Sequence, residues 1–203
     1  DQLPEIYRIE NPETAVGNYV FSPNNNFIAI EAPHYYELQD APNAVWAHIP
    51  DAGRTLGGMA VMPYSQSAAG ASISYKMELP GDITSVTVHV VVKSTLAFKR
   101  LEGHRYEVGF EGGEAQVINF NHNLNEDPEN IYTVFYPTVA RRVIEKKVDL
   151  QVPASKDGLF TLNLKPLDPG IVFEKIVVDF GGYQGEYLFG EESPNKRVLN
   201  STK

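Results

Sequence analysis

Ala71-Ser-Ile-Ser-Tyr-Lys-Met-Glu-Leu79, Pro80-Gly-Asp82 and Ser85-Val-Thr-Val-His-Val-Val-Val-Lys93 follow one another closely, and this stretch decides the fold class. Ile73, Tyr75, Met77 and Leu79 alternate with Ser72, Ser74, Lys76 and Glu78, so one face is apolar and the other polar. That is the period of a half-buried strand, because successive side chains point to opposite faces of a sheet. Val86, Val88, Val90 and Val92 repeat the pattern, and Pro80-Gly-Asp82 supplies turn chemistry between the runs. Together they read as an antiparallel hairpin with one buried face.

The same period recurs outward along the chain. Tyr106, Val108 and Phe110 alternate, Glu111-Gly-Gly-Glu114 turns, and Val117 to Phe120 returns. Phe27 to Ala32, Val45 to Ile49 and Met59 to Met62 read as earlier strands. Ile144, Val148, Leu150 and Val152 share a face that Lys146 interrupts. Phe160, Leu162 and Leu164 alternate after Asp157-Gly158, and Glu174 to Phe180 is dense enough in apolar residues for burial on both sides. Pro128 to Ala140 is the single helical segment expected, with Asp127 as its cap and Pro128 at its first position. Pro137 limits it to one or two turns. The expected fold is therefore all-β, a two-sheet antiparallel β-sandwich of jelly-roll or galactose-binding type, with at most a short helix near 128–140. Residues 1–26, punctuated by Pro4, Pro12 and Pro23, read as an extended arm or inter-domain linker, 27–197 as the sandwich and 198–203 as a tail.

Composition removes several function classes. The net charge of −9 repels phosphate backbones, so nucleic acid is not an expected partner. The same charge disfavours diffuse attraction of polyuronates but leaves room for one locally held carboxylate. Arg141-Arg142 and Lys146-Lys147 read as the solvated side of a strand. With no cysteine, thiol nucleophiles and zinc–thiolate sites are excluded. No apolar run is long enough for a membrane-spanning helix, and no membrane partner is expected. The chain begins at Asp1, so a missing signal peptide carries no information on export.

The remaining chemistry is sparse. No pair of carboxylates stands out as a glycosidase pair, and Gly-x-Ser-x-Gly and His-Glu-x-x-His are absent. No catalytic residue is assigned and no cofactor is expected, a structural calcium aside. Asn119 to Asp127 places oxygen side chains on alternate residues, which suits either calcium or a loop of Asx turns. His34, Tyr35 and Tyr36 are consecutive, and Trp46 is the lone tryptophan. With Arg54, Asn121 and Asn123 they can form a surface on which a sugar stacks and is held by polar groups. The competing reading puts Trp46 in the core, since it lies centrally in an apolar strand.

Phe27-Ile-Ala-Ile-Glu-Ala-Pro-His-Tyr-Tyr36 resembles the opening of the C-terminal domain of glycoside hydrolase family 115, the xylan α-glucuronidases. Trp46-Ala-His-Ile-Pro50, Gly53-Arg-Thr55, Met59-Ala-Val-Met-Pro63, Leu162 to Gly182, Tyr187-Leu-Phe-Gly190 and Glu192-Ser193 continue the likeness in order, over about residues 27–197. The resemblance implies a non-catalytic accessory β-sandwich of a multidomain enzyme that removes (4-O-methyl)glucuronic acid from xylan. Its implied partners are the catalytic domain of a parent chain, a homodimer partner, or a polysaccharide or oligosaccharide, and its implied location is periplasmic or extracellular. A carbohydrate-binding module gripping a plant or host glycan through exposed aromatics is the alternative. Glu31 and Asp179 also resemble the calcium ligands of modules with a Glu-Ala-Glu motif, although Pro33 stands where the second glutamate belongs.

Overall fold

The computed structural model describes residues 16–98 and 102–198. Two sheets face each other across one core. The first contains β1 (Tyr19–Phe21), β3 (Glu37–Gln39), β6 (Ser72–Glu78), β8 (Arg105–Phe110), β9 (Gln116–Asn119), β11 (Leu159–Pro166) and β13 (Asn195–Arg197). The second contains β2 (Phe27–Glu31), β4 (Val45–Ile49), β5 (Gly58–Met62), β7 (Ser85–Lys93), β10 (Val143–Gln151) and β12 (Val172–Asp179). Along the first sheet the order is β13-β1-β6-β11-β8-β9, with β3 also on β6. Along the second it is β10-β7-β12-β5-β4, with β2 also on β12. Among the described residues every strand pairing is antiparallel except β1 with β6, which is parallel.

The alternation read from the sequence places the core. Ile73, Tyr75, Met77, Val86, Val88, Val90, Leu162, Leu164, Ile176 and Val178 all point between the sheets and are buried. At about 25 cal/mol per Å² of apolar surface removed from water, each such side chain contributes on the order of 2 kcal/mol before entropy is charged against it. β7 and β12 are buried on their outer face as well: Val91 and Val177 join Ala29, Val143 and Phe189 in a second, smaller cluster.

Three expectations need correction. β6 and β7 do not form a hairpin. β6 pairs with β11 and β7 with β10 and β12, so Leu79–Thr84 carries the chain from one sheet to the other. Their apolar faces oppose each other across the core, a use of period two that a hairpin would share. The stretch read as an arm contributes a strand: β1 pairs with β6 and β13, and Phe21 is fully buried. Residues 1–15 and 199–203 of the arm and tail readings lie outside the described residues. The helical segment consists of a π-helical turn, Ile131–Phe135, followed by α1, Tyr136–Arg141. Asp127 holds it through its backbone carbonyl, which accepts from Asn130 and Ile131 N–H, and not through a side-chain cap. Pro137 does not break the segment, because it falls in the first turn of α1 where its missing N–H is not needed. Among the described residues no helix is long and apolar enough to cross a membrane.

Candidate functional site

Residues 183–193 lie over the outer face of the second sheet and are held there by a polar clasp. Lys175 and Glu31 are cross-strand neighbours on β12 and β2, and Lys175 Nζ meets Glu31 Oε1 at 2.8 Å with both side chains buried. The ammonium also donates to the carbonyls of Leu188 at 3.0 Å and Gly190 at 2.5 Å. Thr55 donates to the second oxygen of Glu31. Glu192 accepts from the Glu31 N–H at 3.0 Å and bonds His34 Nδ1 at 2.8 and 2.9 Å. Ser193 exchanges two hydrogen bonds with the Ala29 backbone. Buried charges survive only when paired and hydrogen-bonded, and here each is.

Arg54 extends the clasp. Its guanidinium donates to the carbonyls of Tyr187 and Arg141, both at 2.7 Å, and lies 4.1 Å from the Tyr187 ring centroid and 5.2 Å from that of Phe189. The preceding Gly53 has φ +77°, and a Cβ there would meet the Glu174 carboxylate at 1.9 Å. Glycine therefore lets the loop close onto Glu174, a buried residue at the irregularity in the β7–β12 pairing. Burial raises the Glu174 carboxyl to about 7, against the pull of Lys93 and Arg54, and its buried Oε1 has no hydrogen-bond partner.

Between the clasped loop and the helical segment runs an open groove of about 810 Å³. It borders the start of β10, which among the described residues is an edge strand with β7 as its one neighbour. Tyr183 and Tyr187 line one side, Asn123, Thr133 and Thr138 the other, and Lys146 lies in the strand between. Tyr187 is 72% exposed even though one face of its ring covers Arg54, so it stands as a fixed aromatic platform at the rim. The volume and mixed lining fall in the range of small-ligand sites, about 300–1,000 Å³.

The structure brings only two of the residues proposed for sugar binding, Arg54 and Asn123, to this groove. Trp46 belongs to the core, not to a surface. It is 9% exposed, donates Nε1–H to the Gln39 carbonyl at 2.9 Å and packs 6.2 Å from the Phe173 ring. Asn121 is buried and bridges His104 N–H and the Thr95 carbonyl. His34 is taken up by Glu192 and by the Tyr19 ring at 4.7 Å. Tyr35 is partly buried against the core. Tyr36 lies elsewhere, beside Lys76 Nζ at 4.5 Å in a smaller polar hollow on the first sheet. Its neighbours there include Ser74, Thr161 and Asn163.

The proposed calcium ligands are not brought together. Glu31 opposes Lys175 and Asp179 opposes Phe27, four residues along the strand, which is about 13 Å at 3.3 Å per residue. Glu31 is committed to Lys175 and Thr55. Asp179 accepts from the N–H groups of Gly181, Gly182 and Tyr183, and these outweigh its burial to hold its carboxyl below the usual range. In the Asn-rich loop, Asn125 accepts from Asp127 N–H and Asn130 Nδ2, the pattern of an Asx turn. The residues present thus do not fit a shared metal site, and among the described residues no group of three or more potential ligands converges. Lys146 is also corrected: it shares the inward parity of Ile144 and Val148 and is partly buried, while Lys147 is exposed. The break in the apolar face was the sequence signal for this. Tyr187 and Glu174 carried no such signal.

Among solved structures, a family GH115 4-O-methyl-α-glucuronidase with specificity for decorated arabinogalactans superposes with a TM-score of 0.50 at 16% identity, over 72% of this chain and 18% of that one. The C-terminal CBM6 of the marine laminarinase LamC from Zobellia galactanivorans gives 0.48 at 16% identity, over 76% of this chain and all of that one. A family 35 carbohydrate binding module from Clostridium thermocellum gives 0.47 at 13% identity, over 75% and 98%. The likeness to the glucuronidase shows the shared fold, and the chain spans 18% of that enzyme's length. No curated protein matches in sequence. The model of the glycosyl hydrolase family 115 C-terminal domain matches residues 20–192, and the chain belongs to that family.

Proposed function

We propose that the chain is a non-catalytic accessory sandwich of an α-glucuronidase-like hydrolase acting on xylan, working by contact with the catalytic part or with a second copy. The observation that carries this reading is the segment 131–141. None of its residues is buried, and Tyr132, Tyr136 and Val139 are exposed at 76%, 54% and 55%. Their spacing puts them on one side of the segment, and the two tyrosine rings lie 5.8 Å apart. A ridge of this kind is wasteful in water and useful at an interface, where aromatic side chains concentrate. A polymeric substrate places the work in the periplasm or outside the cell. The test follows the chain's mass by sedimentation, alone and with a family 115 catalytic part added as a separate polypeptide. Association by either route, lost on Tyr132→Ser, Tyr136→Ser and Val139→Ser together, supports the reading. A chain that stays monomeric and unbound sinks it.

A second reading, glycan contact at the groove, is favoured by one observation: Tyr187 offers a free ring face beside amide and hydroxyl groups. Sugars dock by stacking on such faces while polar groups hold their hydroxyls.

A further inference from the structure

We propose that the groove beside β10 takes an anionic saccharide, with the Lys146 ammonium pairing its carboxylate or sulfate while Tyr187 carries the apolar face of a ring. The inference rests on the second reading above and names the ligand class of that site. Lys146 sits in the inward row of β10, between Ile144 and Val148, which are buried. Among the described residues its Nζ makes no hydrogen bond, unlike those of Lys76, Lys165, Lys175 and Lys196; Lys147 and Lys156 share that condition but are exposed, and Lys93 has the Glu174 carboxylate near it. Apolar neighbours strip water from it, and burial alone lowers its pKa. A cation that is part-desolvated and unpaired gains most from an incoming anion, because the cost of leaving water is already borne by the fold.

The other charges at the groove fit this. Arg54 gives its terminal nitrogens to two carbonyls, which neutralise none of its charge. Glu145 is committed to His89 Nδ1 at 2.6 Å, the bond that chiefly lowers its carboxyl. Glu186 is the other acid lining the groove, and it is exposed. With a net charge of −9 the chain cannot gather polyanions by its overall field, so recognition must be local and short-ranged. An ammonium also accepts either oxyanion, since it is a point charge with rotatable donors and lacks the planar fork that selects carboxylate geometry.

The test titrates the whole chain calorimetrically with trigalacturonate, a sulfated galactose trisaccharide and neutral cellotriose. The expected result is that at least one anionic trisaccharide binds about tenfold or more tightly than cellotriose. Lys146→Met is expected to erase that preference, with Lys146→Arg restoring part of it, and Tyr187→Ala to weaken every ligand that binds. The relative affinities of the uronate and the sulfate identify which oxyanion the site prefers. Lys146→Met is also expected to melt no lower than the parent chain, because it removes a desolvated charge, so lost binding is not lost folding. Equal binding of neutral and anionic trisaccharides, or a preference that Lys146→Met leaves intact, overturns the inference while the groove stays a glycan site. Failure of all three to bind overturns both.

Discussion

Glu174 should make the stability of the domain fall as pH rises through neutrality. Its carboxyl is buried beside Gly53 with one oxygen unpartnered, and burial lifts it from 4.5 to about 7. The folded-state value lies above the unfolded one. The native chain therefore holds more protons between the two, and stability is lost as pH climbs through that window. At about 1.4 kcal/mol per unit the full shift amounts to roughly 3 kcal/mol. The unfolded carboxyl is already partly ionised at about pH 5, which leaves roughly 2 kcal/mol between about pH 5 and about pH 8. Glu174→Gln keeps the shape and removes the titration. Urea unfolding of both proteins at the two pH values isolates the effect, because every other titrating group cancels in the difference. The variant should match the parent at the lower pH and exceed it by roughly 2 kcal/mol at the higher one. A difference between the two proteins that does not change with pH would refute the assignment.

The buried ion pair of the clasp should show the asymmetry of buried charges. Lys175→Met leaves Glu31 uncompensated and should cost about 3–5 kcal/mol, whereas Lys175→Met with Glu31→Met should lie closer to the parent in urea unfolding. Trp46→Ala should cost about 3–5 kcal/mol through the cavity it opens against Phe173, and calorimetry should show trisaccharide affinity unchanged in any fraction that folds. Since Glu31 and Asp179 do not share a site, a chelator should leave the melting temperature where calcium leaves it; a calcium-dependent rise would contradict the geometry.

Strand existence was legible because period two is imposed by the pleat itself: Ile73 to Leu79 and Val86 to Val92 had nowhere to put their apolar rows but a core. Pairing was not legible. A run with one apolar face looks the same whether its neighbour in sequence is a hairpin partner or the strand across the sandwich, and β6 and β7 turned out to be the latter. β1 was missed because three residues between proline and asparagine cannot display a period, and their strand is fixed by neighbours distant in sequence, β6 and β13. The site was less legible still. Sequence picked out residue types suited to sugars, but whether Trp46 or Asn121 meets water depends on burial that only the assembled sheets decide.

Glu31, His34 and Arg54 were singled out as possible ligand-holding residues, and in the fold all three reach for the 183–193 segment. The donor set around Lys175 is informative about why. One carboxylate oxygen of Glu31 and the carbonyls of Leu188 and Gly190 are the hard oxygen donors that a metal cation would also take. The chain meets that demand with an ammonium of its own, donated from the next strand in exact register with the glutamate it neutralises. Folding the loop and balancing the buried charge are then one event, since Lys175 cannot be satisfied until the two carbonyls arrive. The same segment carries Tyr187 to the rim of the groove, with Arg54 behind its ring. Glu31, His34 and Arg54 thus fix the position of an exposed aromatic face through the segment that carries it.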